Sequence, residues 1–113
     1  MSETCLFCRI VRGEIPATIV SSTDEAVAIR DIDPKAPVHV LVLPRKHLSS
    51  LNDAADPALL GRLVALGREV ARSEGIADTG YRLVINTNEH GGQTVNHLHV
   101  HVLGGRPMRW PPG

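Results

Sequence analysis

Aromatic material is almost missing from this chain, which has one Trp, one Tyr and one Phe in 113 residues. Its core must therefore be assembled from Val, Leu, Ile and Ala, which dominate the 42% apolar content. Net charge is also absent, with 12 Lys plus Arg against 12 Asp plus Glu. No global field would hold a polyanion by counterion release, which argues against polymeric nucleic acid as a partner. A small phosphate ligand needs only a few local donors and is compatible with neutrality. No apolar run reaches the roughly 20 residues that span a bilayer, and the opening residues lack the basic and apolar segments of a signal peptide. These absences predict a cytoplasmic location without a membrane partner. Repeats, low-complexity tracts and linkers are lacking too, so one domain over residues 1–113 is expected. The only cysteines are Cys5 and Cys8. A reducing compartment disfavours a disulfide between them and leaves metal binding or redox chemistry open.

What is present reads as strands, one long helix and a short tail. Residues 6–12 suit a helical turn or two, stopped at Gly13. Thr18-Ile19-Val20 and residues 26–30 suit paired strands, and residues 38–43 form a β-branched run closed by Pro44. Asp56-Pro57 has the form of a helix N-cap with proline at the first position. Leu59, Leu60, Leu63, Val64, Gly67, Val70 and Ala71 then recur at helical spacing until Gly75. Residues 81–86 and 97–103 read as two further strands joined by a polar, glycine-containing loop over 87–94. The order predicts an α+β fold with an antiparallel sheet.

The most informative segment is Asn96-His97-Leu98-His99-Val100-His101-Val102-Leu103. In a strand, alternate side chains share a face, so His97, His99 and His101 would stand together roughly 6.6 Å apart, with Leu98, Val100 and Val102 facing a core. One reading is a solvated face that happens to be rich in histidine. A second makes the imidazoles ligands of one metal ion. A third makes the central imidazole a nucleophile and its neighbours orienting, donating or ligating groups. The glycine-rich Gly91-Gly92-Gln93-Thr94 just upstream could hold phosphate oxygens and favours the third.

The segment 97–103 resembles the His-x-His-x-His motif of the histidine-triad family. Residues 91–95, Leu103-Gly104-Gly105-Arg106 and the terminal Trp110-Pro111-Pro112-Gly113 are similar to its Hint-like branch of nucleotide-binding proteins. Residues 13–17, 31–37 and 43–47 fit the same pattern, so the likeness covers nearly the whole chain. It implies a five-stranded antiparallel sheet with one long and one short helix, and a homodimer whose two sheets join into ten strands. It also implies binding of purine nucleotides such as AMP or GMP and hydrolysis of nucleoside phosphoramidates.

Under that resemblance His99 is the nucleophile that forms a nucleotidyl-histidine, His101 and Thr94 donate hydrogen bonds to the phosphate or leaving group, and His39 stands beside the triad. Taken alone, His39 reads as a hydrogen-bonded structural histidine on its strand. Asn86, Gly92 and Gln93 become phosphate or ribose contacts. Asp31 becomes the acceptor for the ribose hydroxyls, although an Asp before Asp-Pro commonly forms a turn. Phe7, Ile15, Ile29 and Ile32 become the apolar slot for the purine. The resemblance assigns Cys5, Cys8, His47 and His97 to a closed structural zinc site, with no catalytic cofactor; the bland alternative is a pair of buried, unligated thiols. Functional alternatives are a dinucleoside polyphosphate hydrolase, against which the Trp-Pro-Pro-Gly tail argues, and a regulatory nucleotide-binding protein with little turnover.

Overall fold

The computed structural model describes residues 4–113. Five strands run in chain order: β1 (Ile19–Ser22), β2 (Ala26–Arg30), β3 (Val38–Pro44), β4 (Tyr81–Val84) and β5 (Val100–Gly104). They form one antiparallel sheet in the spatial order β1-β2-β3-β5-β4, as the α+β reading requires. Helix α1 spans Leu6–Val11, α2 spans Pro57–Ser73, and a single turn, α3, spans Asn88–Gly91 inside the segment expected to be a loop.

The two faces of the sheet have different tasks. One carries Ala26, Ala28, Val40, Val42, Val100 and Val102 and packs on Leu59, Leu63, Leu66, Val70 and Ala71 of α2. Helix α2 begins where Asp56 accepts the Ala58 N–H at 3.0 Å, capping an otherwise orphaned donor. Its inward stripe differs from the expected one at two places, since Leu66 is buried and Val64 is 44% exposed. Gly67 lets the helix lie close to the sheet, because a Cβ there would meet Leu83 Cδ2 at 3.4 Å and Val102 Cγ2 at 3.5 Å. The opposite face carries Val27, Ile29, Leu41 and Leu43, covered by Phe7 of α1. His39 and His101 point to this second face, so the smaller apolar cluster is the floor of the site.

The last strand is shorter than expected. Its pairing with β3 starts at Val42 opposite Val100 and leaves His97 and His99 in the irregular lead-in. There the Leu98 N–H turns away to the Leu48 carbonyl at 2.7 Å. Pro44, at the end of β3, has no N–H to continue the ladder, and its carbonyl accepts the His97 side chain. Leu98, Val100 and Val102 still enter the main core, so the alternation holds although the strand does not.

Candidate active site

His101 and His39 meet because β3 and β5 pair with Leu41 opposite His101 and His39 opposite Leu103, which makes the two imidazoles diagonal neighbours on one face. The protonation pattern follows from their partners. The main-chain N–H of Lys35 donates to His39 Nδ1 at 3.0 Å, so that nitrogen must be unprotonated. His39 therefore carries its proton on Nε2 and donates it to His101 Nδ1 at 2.9 Å. His101 is left with Nε2–H, a donor aimed outward. Its ring centroid lies 4.9 Å from that of His99.

The tautomer of His99 is fixed in the opposite sense. A carbonyl can only accept, so the 2.7 Å contact between His99 Nδ1 and the His97 carbonyl places the proton on Nδ1. Nε2 of His99 then has a free lone pair. Burial pushes His99 below the ordinary histidine range, opposed by the bond to the His97 carbonyl and by the Asp31 charge, so the ring is neutral at pH 7. Phe7 packs edge-on against it with ring centroids 5.1 Å apart.

A cavity of about 320 Å³ opens in front of these rings, lined by Phe7, Ile15, Ile29, Asp31, Ile32, Thr94, His99 and His101. Ile32 is 96% exposed and forms its rim. Asp31 makes the turn expected of it, with Oδ1 accepting the Asp33 N–H at 2.8 Å, and its Oδ2 stands 3.5 Å from His39 Nε2.

Not every expected contact faces the cavity. Gly92 caps α3 in a left-handed conformation, and its N–H and that of Gln93 are taken by the Glu89 and Asn88 carbonyls. The Gln93 amide braces the loop, accepting the Asn88 N–H at 3.0 Å and donating to the Ser49 carbonyl at 2.7 Å. Asn86 borders a separate hollow beside Arg82 and the tail. Thr94 alone of that loop's named residues reaches the cavity wall. A main-chain carbonyl as the partner of the second His99 nitrogen follows from the nucleophile's need for a bare Nε2, but which carbonyl serves, and the parts played by the Lys35 N–H and the Pro44 carbonyl, leave no residue-type signal. Leu6, Ile10 and Leu41 also line the cavity, and only their apolar character could have indicated this.

Behind His99 lies a second cluster. His97 is fully buried, and its Nε2–H donates to the Pro44 carbonyl at 2.8 Å, which turns Nδ1 toward Cys5 Sγ at 3.4 Å and Cys8 Sγ at 3.5 Å. His47 Nδ1 lies 3.2 Å from Cys8 Sγ and 3.3 Å from His97 Nδ1. Metal–sulfur and metal–nitrogen bonds of about 2.3 and 2.1 Å put tetrahedral donors roughly 3.3–3.8 Å apart. The four donors fit such an ion, with the unprotonated imidazole face and soft sulfurs it needs. Asp31, His39 and His101 also come together. There the Lys35 N–H keeps the His39 proton on Nε2, the atom a metal would require, so this group is a hydrogen-bond chain.

Burial pushes His101 from the ordinary 6.5 down to about 4, with His99 and His39 adding to the effect. Unfolding restores the ordinary value, so between pH 6.5 and about 4 the unfolded chain binds a proton that the folded chain refuses. Stability is complete above that window and declines as the pH falls through it. Urea midpoints measured from pH 8 to pH 4 should fall accordingly, and His101→Gln should flatten the decline; an unchanged slope would contradict the assignment.

The HIT domain family matches residues 12–108, and the chain belongs to that family. The purine nucleoside phosphoramidase of Escherichia coli strain K12 is 47% identical over 110 residues, which covers 96% of this chain and 92% of that protein. A HIT family hydrolase from Legionella pneumophila Philadelphia 1 has the same fold with a TM-score of 0.94 at 49% identity, over 97% of this chain and 100% of that one. A zinc-bound histidine triad family protein from Mycobacterium smegmatis gives a TM-score of 0.84 at 33% identity, over 94% of this chain and 78% of that one.

Proposed function

We propose that this chain is a hydrolase of purine nucleoside phosphoramidates that works through a nucleotidyl-histidine at His99, as one domain spanning residues 1–113. The observation that carries this reading is the His99 tautomer, with Nδ1–H tied to the His97 carbonyl at 2.7 Å and Nε2 free at the cavity. The 47% identity to a purine nucleoside phosphoramidase supports the substrate class. The purine lies between Phe7, Ile15, Ile29 and Ile32, and Asp31 accepts the ribose hydroxyls.

The Nε2 lone pair of His99 attacks the α-phosphorus and the phosphorus–nitrogen bond breaks. His101 Nε2–H holds the phosphate or the leaving nitrogen as a hydrogen-bond donor; a neutral imidazole is too weak an acid to surrender that proton outright. The leaving amine takes its proton from solvent, relayed by the Thr94 hydroxyl. Water then attacks the phosphorus, the bond to His99 breaks, and a proton returns to solvent. Gly92 and Gln93 shape the loop that presents Thr94. The scheme uses no catalytic cofactor.

Zinc is the ion we assign to Cys5, Cys8, His47 and His97, where it supplies a structural cross-link between α1, the segment after β3 and the lead-in to β5. The likeness to a zinc-bound relative supports that choice. Cys5 and Cys8 form no disulfide, which suits a reducing cytoplasm, and among the described residues no helix is long and apolar enough to cross a membrane. A homodimer with a ten-stranded sheet is part of the same reading. Of the two sheet edges, β1 carries a bulge between Ile19 and Ser21, which blunts it. The edge at β4 is regular and lies beside the tail, where Trp110 is 81% exposed with Arg82 at 5.8 Å.

The substrate assignment is tested by comparing kcat/KM for adenosine, guanosine, cytidine and uridine 5′-phosphoramidates. The expected result is a preference of about tenfold or more for the purines, since the extra ring buries more apolar surface. Equal values for all four would overturn the purine slot.

A further inference from the structure

We propose that Arg106 is a positioning residue for catalysis, acting at a distance by holding Lys35, the residue whose main-chain N–H sets the His39 and His101 tautomers. The proposal rests on the hydrolytic reading above for its kinetic consequences, but its structural content stands on the hydrogen-bond chain alone. Arg106 follows β5 after a single residue, Gly105. One guanidinium nitrogen donates to the Lys35 carbonyl at 2.9 Å, and the other donates to the Pro107 carbonyl at 3.1 Å with Met108 Sδ at 3.6 Å. Among the described residues no carboxylate lies within ion-pair distance of this guanidinium. Its charge is thus directed to main-chain carbonyls, where charge-assisted bonds are stronger than neutral ones.

Lys35 is the pivot. Its carbonyl is held by Arg106 and its N–H donates to His39 Nδ1 at 3.0 Å, so the orientation of one residue links the strand end to the histidine pair. A second contact holds the same loop. Gly105 has φ +91°, and a Cβ on it would come 2.8 Å from Pro37 Cβ, so the chain after β5 presses directly on the loop. The Lys35 ammonium is used elsewhere, on Asp33 at 2.7 Å, and does not anchor the peptide to β5.

The consequence is specific. An imidazole pair has no internal means of choosing which nitrogen carries the proton. Here a peptide N–H, which cannot titrate, makes the choice for His39, and His39 makes it for His101. If Lys35 drifts, its N–H leaves His39, His39 exchanges between tautomers and the His101 donor at the leaving group is present only part of the time. Nucleotide contacts are untouched, because Arg106 does not line the cavity.

The test combines kinetics with nitrogen NMR of histidine-labelled protein. Arg106→Ala should lower kcat for adenosine 5′-phosphoramidate about fivefold or more, with KM changed less than twofold. It should also move the His39 and His101 ring nitrogens from the fixed wild-type pattern, Nδ1 bare and Nε2 protonated, toward averaged shifts. Arg106→Lys, which can still reach the carbonyl, should recover most of both. Unchanged ring nitrogens in Arg106→Ala, whether kcat falls or not, overturn the proposal, as does a rise in KM at constant kcat. If the wild type itself hydrolyses no phosphoramidate, the hydrolytic reading fails, while the nitrogen shifts still decide whether Arg106 sets the tautomers.

Discussion

Replacing His99 by Ala should lower turnover of adenosine 5′-phosphoramidate by on the order of 10³-fold or more, because the other imidazole at the cavity, His101, has its Nδ1 lone pair taken by the His39 Nε2–H and cannot replace it. The phosphate would still meet Thr94 and His101, and the base would still meet Phe7, Ile15 and Ile29, so AMP affinity should change by less than about tenfold. That split separates a nucleophile from a binding residue, whose loss would weaken AMP and spare kcat. His99 is buried with its Nδ1–H bonded to the His97 carbonyl, so a melting curve must accompany the kinetics. His99→Gly serves as the second variant, since the vacated space can admit free imidazole and restore part of the rate. Turnover retained within about tenfold in both variants would exclude His99 as nucleophile.

The second large effect concerns the ion. Cys5 caps α1 and Cys8 lies within it, His47 follows β3, and His97 leads into β5, so the cluster ties three separate parts of the chain. Binding energy at such a site is folding energy. Removing the ion with a strong chelator, or by Cys8→Ser, should cost about 3 kcal/mol or more, which lowers Tm by roughly 10 °C or more for a domain of this size. Activity should fall as well, through two routes that start at the cluster. Phe7 lies between the two cysteines and packs edge-on against both His97 and His99. The carbonyl that fixes the His99 tautomer belongs to His97 itself. Adding zinc back should restore Tm to the chelated wild type but not to Cys8→Ser. A Tm unmoved by chelation, in protein confirmed to hold about one equivalent of zinc beforehand, would contradict a structural role.

The parts of this architecture that could be read from residue types are those in which side chains make the decision. Asp56-Pro57 and the apolar repeat on α2 located the long helix, and the β-branched run located β3. The alternation of Leu98, Val100 and Val102 with the histidines placed the two sets on opposite sides of the chain, even though strand pairing begins only at Val100. The four-residue Cys and His cluster was legible through resemblance, and the donor atoms do converge. A main-chain carbonyl fixing the His99 tautomer is what a nucleophilic imidazole requires; what could not be read is which backbone groups serve. The tautomers of His39, His97 and His99 are set by the Lys35 N–H, the Pro44 carbonyl and the His97 carbonyl. The polar stretch 87–94 concealed a helical turn whose carbonyls occupy the N–H groups expected to face a phosphate. Gln93, a phosphate contact by resemblance, has its amide engaged by the loop itself.

The central claim is a covalent bond between His99 and the α-phosphorus, and intact mass spectrometry tests it most directly. Protein mixed with adenosine 5′-phosphoramidate is quenched in denaturant within the first turnovers and weighed, then digested to locate any adduct. The account predicts a mass increase corresponding to one adenylyl group, located on the peptide containing His99 and absent in His99→Ala. Efficient turnover without any adduct at the earliest quench times, or an adduct that persists in His99→Ala, would contradict it.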